Sequence, residues 1–171
     1  VAINNASAPV VTLSNFSDVC ANGSVVPLTG GFPAGGIYKV NGVIATNFDP
    51  KLNGPGTYNI TYTYTDGSNC AGTALKTLKV NPVPNVSLGN FDPICKNASV
   101  LVFSSGYPGG GTYKLDGVVA TSINPALASV GNHQVIYSYT DGNSCSAADT
   151  QIIEVRSVIT PTLAAFQTVC T

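Results

Sequence analysis

The sequence repeats itself with a period of 75 residues. Cys20, Cys95 and Cys170 fall on that step, as do Phe16, Phe91 and Phe166, and Leu13, Leu88 and Leu163. Sliding residues 9–82 by 75 onto 84–157 needs no gap and leaves 29 of 74 positions identical. Independent strands of similar composition would not hold register over such a length. The chain therefore divides into one repeat at 8–82, a second at 83–157, and at 158–171 the first strand of a third, truncated after Cys170. A fixed period means that one structural unit is used again, so every later reading must hold twice.

Each unit reads as β-structure. Gly56-Thr57-Tyr58-Asn59-Ile60-Thr61-Tyr62-Thr63-Tyr64-Thr65 alternates strictly, placing Tyr58, Ile60, Tyr62 and Tyr64 on one face. A period of two over this length means a half-buried strand. The second repeat keeps the pattern as His133, Val135, Tyr137 and Tyr139. Upstream, Val40-Asn41-Gly42-Val43 returns as Leu115-Asp116-Gly117-Val118, and both Asn-Gly and Asp-Gly suit the positive φ of a tight hairpin turn. The spacing predicts first-repeat strands over 10–16, 24–30, 36–41, 43–48, 57–65 and 72–80. Six or seven strands in 75 residues are what a small sandwich of two sheets uses. Its expected core is Leu13, Phe16, Val26, Leu28, Tyr38, Val40, Ile60, Tyr62, Leu78 and Val80.

Composition excludes several functions. Only 9% of residues are charged and the net charge is −1, with 7 basic residues scattered along the chain. Nucleic-acid binding depends on clustered Lys and Arg, so that partner is excluded. No apolar run approaches the roughly 18 residues of a membrane-spanning helix, so no membrane insertion is expected. The first residues do not form a secretion signal. With no Met anywhere, the chain reads as a fragment of a longer processed protein.

Each full repeat holds two cysteines 50 residues apart, Cys20 with Cys70 and Cys95 with Cys145, leaving Cys170 unpaired by truncation. A zinc site is not indicated, since the chain has one His and no Cys-x-x-Cys spacing. Disulfides and an oxidising, extracellular setting are expected instead. Pairing within each repeat is favoured, because each domain then closes itself, for about 4 kcal/mol in the chain-entropy model. The alternative crosses the repeat boundary, with Cys20 near Cys145. It answers a difficulty: in a linear sandwich the loop carrying Cys20 lies at the end opposite the hairpin carrying Cys70. Free thiols in a core are the third option.

The residues offer little for catalysis. His133 is the sole histidine, and it stands where Tyr58 stands in the first repeat, so it reads as a half-buried replacement. Asp66 and Asp141 each precede Gly in a turn, where Asp is favoured by bonds to its own backbone. They are the only calcium candidates, and no Asp-x-Asp run supplies further ligands. The Gly-rich segments 30–36 and 106–111 lack the Lys-Ser/Thr and the helix of a phosphate loop. Phe32 and Tyr107 at their tips are possible ligand contacts, by stacking on a sugar; plugging the end of the sandwich is the preferred role. Lys39 and Lys114 point outward, which argues against an isopeptide crosslink. The Asn-x-Ser/Thr triplets at Asn5, Asn15, Asn22, Asn59, Asn85 and Asn97 are what chance supplies in such a chain.

One resemblance rests on Val19-Cys20, Leu28-Thr29-Gly30-Gly31, Pro33-x-Gly35-Gly36-x-Tyr38, Asn41-Gly42-Val43, Phe48-x-Pro50, Gly56-Thr57-Tyr58-x-Ile60-Thr61-Tyr62-x-Tyr64-Thr65-Asp66 and Cys70. In these blocks the chain resembles the immunoglobulin-like and PKD-like repeats of very large Bacteroidetes surface proteins, among them the gliding-motility adhesin type. The second repeat departs at Val102-Phe103-Ser104-Ser105 and at His133, without breaking the alternation. The resemblance implies an all-β fold of two tandem immunoglobulin-like (PKD-like) β-sandwich domains in a linear array. It also implies export to the cell surface and strings of repeats acting as stalks or adhesive filaments. No cofactor and no catalysis are expected. The partners expected are neighbouring repeats of the same chain, with surface polysaccharide or self-association beyond them. The alternative is a spacer or carbohydrate-binding module of a secreted polysaccharide-degrading enzyme.

Overall fold

The computed structural model describes residues 7–159. Cys170 and nearly all of the third-repeat segment thus lie outside the described residues. Two compact units result: one runs up to Pro84 and takes in Thr140–Ser146, and the other holds Asn85–Tyr139 and the residues from Ala147 onward.

The first unit's strands, in chain order, are β1 (Thr12–Leu13), β2 (Val19–Cys20), β3 (Val26–Pro27), β4 (Gly31–Phe32), β5 (Ile37–Val40), β6 (Val43–Ile44), β7 (Asn47–Phe48), β8 (Gly56–Thr65) and β9 (Ala71–Asn81). A single helical turn, α1 (Pro50–Asn53), precedes β8; Asp49 caps it by accepting the Lys51 N–H. One sheet has the order β2-β9-β8-β5-β6, and two short ladders, β1–β4 and β3–β7, supply the opposing layer. Between them lie Leu13, Leu28, Phe48, Ile60, Tyr62, Leu78 and Val80, all buried. Six of these were expected from the alternation. Phe16, Val26, Tyr38 and Val40 are only partly buried and pack around the edge of that core. Phe48 is the member the pattern did not reveal.

Several strands are shorter than their hydrophobic runs. Segments 10–16 and 24–30 retain two paired residues each, and β2 and β4 are additions. Pro27 has no N–H to donate, and Gly30, at φ +83°, turns the chain out of extended geometry. The run 43–48 splits because β6 pairs with β5 whereas β7 pairs with β3, so the chain changes sheet between them. The Asn-Gly turn is as expected: Asn41 and Gly42 have φ of 46° and 88°, and Val40 faces Val43 across the hairpin.

The repeated glycines have a steric cause. A Cβ on Gly31 would sit 2.6 Å from the Tyr62 ring, and one on Gly36 would lie 2.4 Å from Tyr62 Cζ and 2.5 Å from the Thr63 carbonyl oxygen. The loop between β4 and β5 lies directly on this ring. Tyr62 Oη accepts the Gly36 N–H at 2.7 Å and donates to the Pro33 carbonyl. Tyr38, directly across the ladder, stacks tilted on Tyr62 at 4.6 Å and accepts the Gly31 N–H. The Phe32–Pro33 peptide in this loop is cis.

The second unit repeats the scheme with β10 (Ser87–Leu88), β11 (Ile94–Cys95), β12 (Leu101–Val102), β13 (Gly106–Tyr107), β14 (Thr112–Leu115), β15 (Val118–Val119), β16 (Ser122–Ile123), β17 (Gly131–Thr140) and β18 (Ser146–Arg156). Its main sheet has the order β11-β18-β17-β14-β15, opposed by β10–β13 and β12–β16. The core is Leu88, Phe103, Ile123, Val135, Tyr137, Ile153 and Val155. Where the first repeat has Leu28 and Phe48, the second has Phe103 and Ile123. The aromatic ring has moved to the other position, so total volume is nearly kept, which is the substitution a packed interior tolerates best.

Candidate functional site

The cysteines define the most distinctive feature. Cys20 is bonded to Cys145, with an S–S distance of 2.01 Å and Cα atoms 5.5 Å apart. Both residues belong to the first unit, which includes the tip of the β17–β18 hairpin. Asn22 Nδ2 also donates to the Ser146 carbonyl at 3.0 Å beside the disulfide. The favoured pairing within each repeat is therefore corrected. β2 runs parallel to the end of β9, with Cys20 opposite Asn81, whereas Cys70 stands just before the start of that strand. Eleven residues of β-strand span about 36 Å, and a disulfide requires Cα atoms within about 7 Å. The second unit forbids Cys95–Cys145 for the same reason, since Cys95 pairs with Arg156 at the far end of β18. Cys95 is a free thiol and exposed.

Asp66 and Asp141 are committed to their loops. Asp66 Oδ1 accepts the Ser68 and Cys70 N–H groups at 2.9 and 3.0 Å. Asp141 Oδ1 takes those of Asn143 and Cys145, both at 2.9 Å. This local chemistry fixes each hairpin cysteine. Among the described residues no cluster of His, Cys, Asp or Glu is arranged to hold a metal ion.

Phe32 and Tyr107 do not plug the sandwich. They are 67% and 66% exposed, because β4 and β13 place them opposite Thr12 and Ser87 on the outer side of short ladders. The inward position is already filled by the tyrosine ring beneath Gly31 and Gly106. One aromatic side chain is thus offered to solvent at the same place in each unit.

His133 is buried, and its surroundings show why it replaces a tyrosine. In the first unit Tyr58 Oη reaches the Asn53 carbonyl at 2.5 Å and the Gly54 carbonyl at 3.0 Å. In the second, His133 Nε2 donates to the carbonyl of Ser129, the residue equivalent to Gly54, also at 3.0 Å. The imidazole's other nitrogen, Nδ1, lies 2.7 Å from Asp116 Oδ2, while Asp116 Oδ1 accepts the Gln134 N–H. The Asp116 hydrogen bond and then the Ser129 carbonyl hold the His133 pKa above its ordinary value. The same bond, and the Gln134 N–H, hold the Asp116 carboxyl below its usual range. Ser129 Oγ at 3.4 Å completes a set resembling a hydrolytic triad. The chemistry differs: an acceptor at each nitrogen favours the protonated ring, and a protonated imidazole has no lone pair to take a hydroxyl proton. This ion pair was missed at the sequence level. Its signal was present, since Tyr58→His and Asn41→Asp occur together between the repeats and the second was read as turn chemistry alone.

The sheets define the class: the chain is an all-β protein of two tandem immunoglobulin-like sandwich domains. No protein-family model matches it, and no curated protein does. Solved structures that resemble it include a Ca2+-stabilized adhesin that helps an Antarctic bacterium reach out and bind ice, at 16% identity and TM-score 0.46, covering 91% of this chain and 51% of that one. Another is the Bacteroides ovatus mixed-linkage glucan utilization locus SGBP-B in complex with a mixed-linkage heptasaccharide, at 14% identity and TM-score 0.31, covering 84% and 43%. A titin I-band fragment superposes at 12% identity and TM-score 0.39, covering 89% and 67%. The chain thus spans about half the length of the first two. With every TM-score below 0.5, none of these likenesses transfers a ligand or an activity to it. No helix among the described residues is long and apolar enough to cross a membrane.

Proposed function

We propose that the chain is a stretch of a structural or adhesive repeat array, a stalk or filament of a large extracellular surface protein of the gliding-motility adhesin type. The observation that carries this reading is the disulfide between Cys20 and Cys145, whose sequence separation of 125 residues crosses the repeat boundary. Such a bond suits an oxidising exterior and a chain that must keep its repeats in order under load. Its partners are then the neighbouring repeats, and its local role is spacing.

A second reading, a carbohydrate-binding or spacer module of a secreted polysaccharide-degrading enzyme, is favoured by one observation. Phe32 and Tyr107 are exposed at equivalent places, and exposed aromatic faces are useful for recognition. The deciding experiment is binding of the oxidised chain to an array of polysaccharides and glycans, with and without calcium. The stalk reading expects no saturable binding. Saturable binding that disappears in the Phe32→Ala, Tyr107→Ala double variant sinks it in favour of the second. A requirement for calcium would bring Asp66 and Asp141 back as ligands.

A further inference from the structure

We propose that Cys95 is a connection point: it forms a disulfide with the hairpin cysteine of a following repeat, as Cys20 does with Cys145. This goes beyond the choice between stalk and glycan binder, because the bond does not depend on which of the two roles the array has.

The backbone around the two cysteines is the same. Cys20 lies opposite Asn81 in a parallel pair, Ala21 N–H donates to the Asn81 carbonyl at 2.9 Å, and Gly23 N–H returns to the Cys20 carbonyl at 2.8 Å. Cys95 lies opposite Arg156 in a parallel pair, Lys96 N–H donates to the Arg156 carbonyl at 2.9 Å, and Ala98 N–H returns to the Cys95 carbonyl at 2.9 Å. Asn97 occupies the place of Asn22, the residue that bonds the hairpin beside the existing disulfide. The second and independent observation is that the counterpart cysteine in this same chain is bonded, which identifies the ligand chemistry. The partner is a cysteine at the end of an Asp-Gly-x-x-Cys turn, with Asp holding its N–H.

Cys95 has no such partner within its own repeat. Cys145 is already bonded and stands at the other end of an 11-residue strand. The period continues past 157 through Leu163, Phe166 and Cys170, so the hairpin that fits is that of a third repeat. Bond formation needs an oxidant, and a low-molecular-weight disulfide such as oxidised glutathione serves. The Cys95 thiolate attacks one of its sulfurs and releases one thiolate. The hairpin thiolate then displaces the second. Two protein thiols are oxidised and one small disulfide is reduced to two thiols.

The test extends the chain: residues 83–157 are appended again after residue 157, giving three complete repeats. The product is refolded with oxidised and reduced glutathione, alkylated without reduction, and mapped by mass spectrometry. The expected map joins Cys20 to Cys145 and Cys95 to the hairpin cysteine of the appended repeat, and alkylation of Cys95 falls about tenfold or more against the 171-residue chain. Replacing only the appended hairpin cysteine by serine should restore that alkylation while leaving Cys20–Cys145 and the β-sheet circular dichroism unchanged. Cys95 still alkylated in the three-repeat chain, or found bonded to any other cysteine, overturns the proposal. Since the map reads bonds and the glycan array reads ligands, failure of one does not mimic failure of the other.

Discussion

Removing a single oxygen from Tyr62 should cost several times more than a typical surface substitution in this chain. Tyr62 is 2% exposed, and its hydroxyl accepts the Gly36 N–H at 2.7 Å while donating to the Pro33 carbonyl. In Tyr62→Phe the ring keeps its contact with Tyr38 at 4.6 Å, so little apolar burial is lost. What changes is that one amide and one carbonyl of the loop lose their partner. A buried group left unsatisfied costs about 1–3 kcal/mol, and both groups sit only partly out of water. The expected loss is therefore about 2–4 kcal/mol, a substantial share of a small domain's stability. The second repeat supplies an internal replicate, since Tyr137 Oη bonds Gly111 and Pro108 in the same way. Urea unfolding followed by tyrosine fluorescence and circular dichroism should show equal losses for Tyr62→Phe and Tyr137→Phe, each assigned to its own unit. Tyr107→Phe, at 66% exposure, serves as the control and should change stability by less than about 0.5 kcal/mol. If Tyr62→Phe is as mild as Tyr107→Phe, the loop is not held by this hydroxyl and the account of the Gly-rich motif fails.

Three further outcomes are expected. Gly36→Ala should destabilise by about 2–3 kcal/mol through overpacking against Tyr62, whereas Gly42→Ala, which has open space around it but φ +88°, should cost only about 1–2 kcal/mol; thermal unfolding that ranks them in reverse order contradicts the steric assignment. His133 has a raised folded pKa and Asp116 a lowered one. Their contribution is complete between the unfolded Asp value and the unfolded His value, about 4 to 6.5. It is lost as pH rises through the folded His133 pKa, and again as pH falls through that of Asp116. Urea midpoints of the second unit should fall as pH rises through the folded His133 pKa in the native chain and change less in His133→Tyr; identical profiles would dismiss the ion pair. Finally, Cys20→Ser and Cys145→Ser should each lower stability by up to about 5 kcal/mol, the chain-entropy value for a closed loop this long, and the double variant should lose no more than either single one. Additive losses would mean that the two sulfurs act separately.

Much of this architecture was legible beforehand, for reasons that differ from residue to residue. The alternation in 56–65 has a local cause, since a half-buried strand must alternate, and β8 appears there with Ile60 and Tyr62 buried. Asn41-Gly42 encodes its own turn. Phe32 and Tyr107 were harder to place, because which side of a two-residue strand faces out depends on a ring brought from 30 residues away. The joint change at 41 and 58 to Asp116 and His133 was visible, but its meaning required knowing that these positions face each other.

What the sequence determined by itself was the period, the all-β class, the turn chemistry and most of the core, all of which follow from local patterns and their duplication. What only the tertiary structure decided was the disulfide. Two cysteines 50 residues apart in each repeat invite pairing with one another. The chain instead carries β2 alongside the end of β9, so Cys20 and Cys70 lie at opposite ends of an 11-residue strand. No spacing rule contains that distance. It arises from a parallel strand pairing that depends on the whole sandwich having formed.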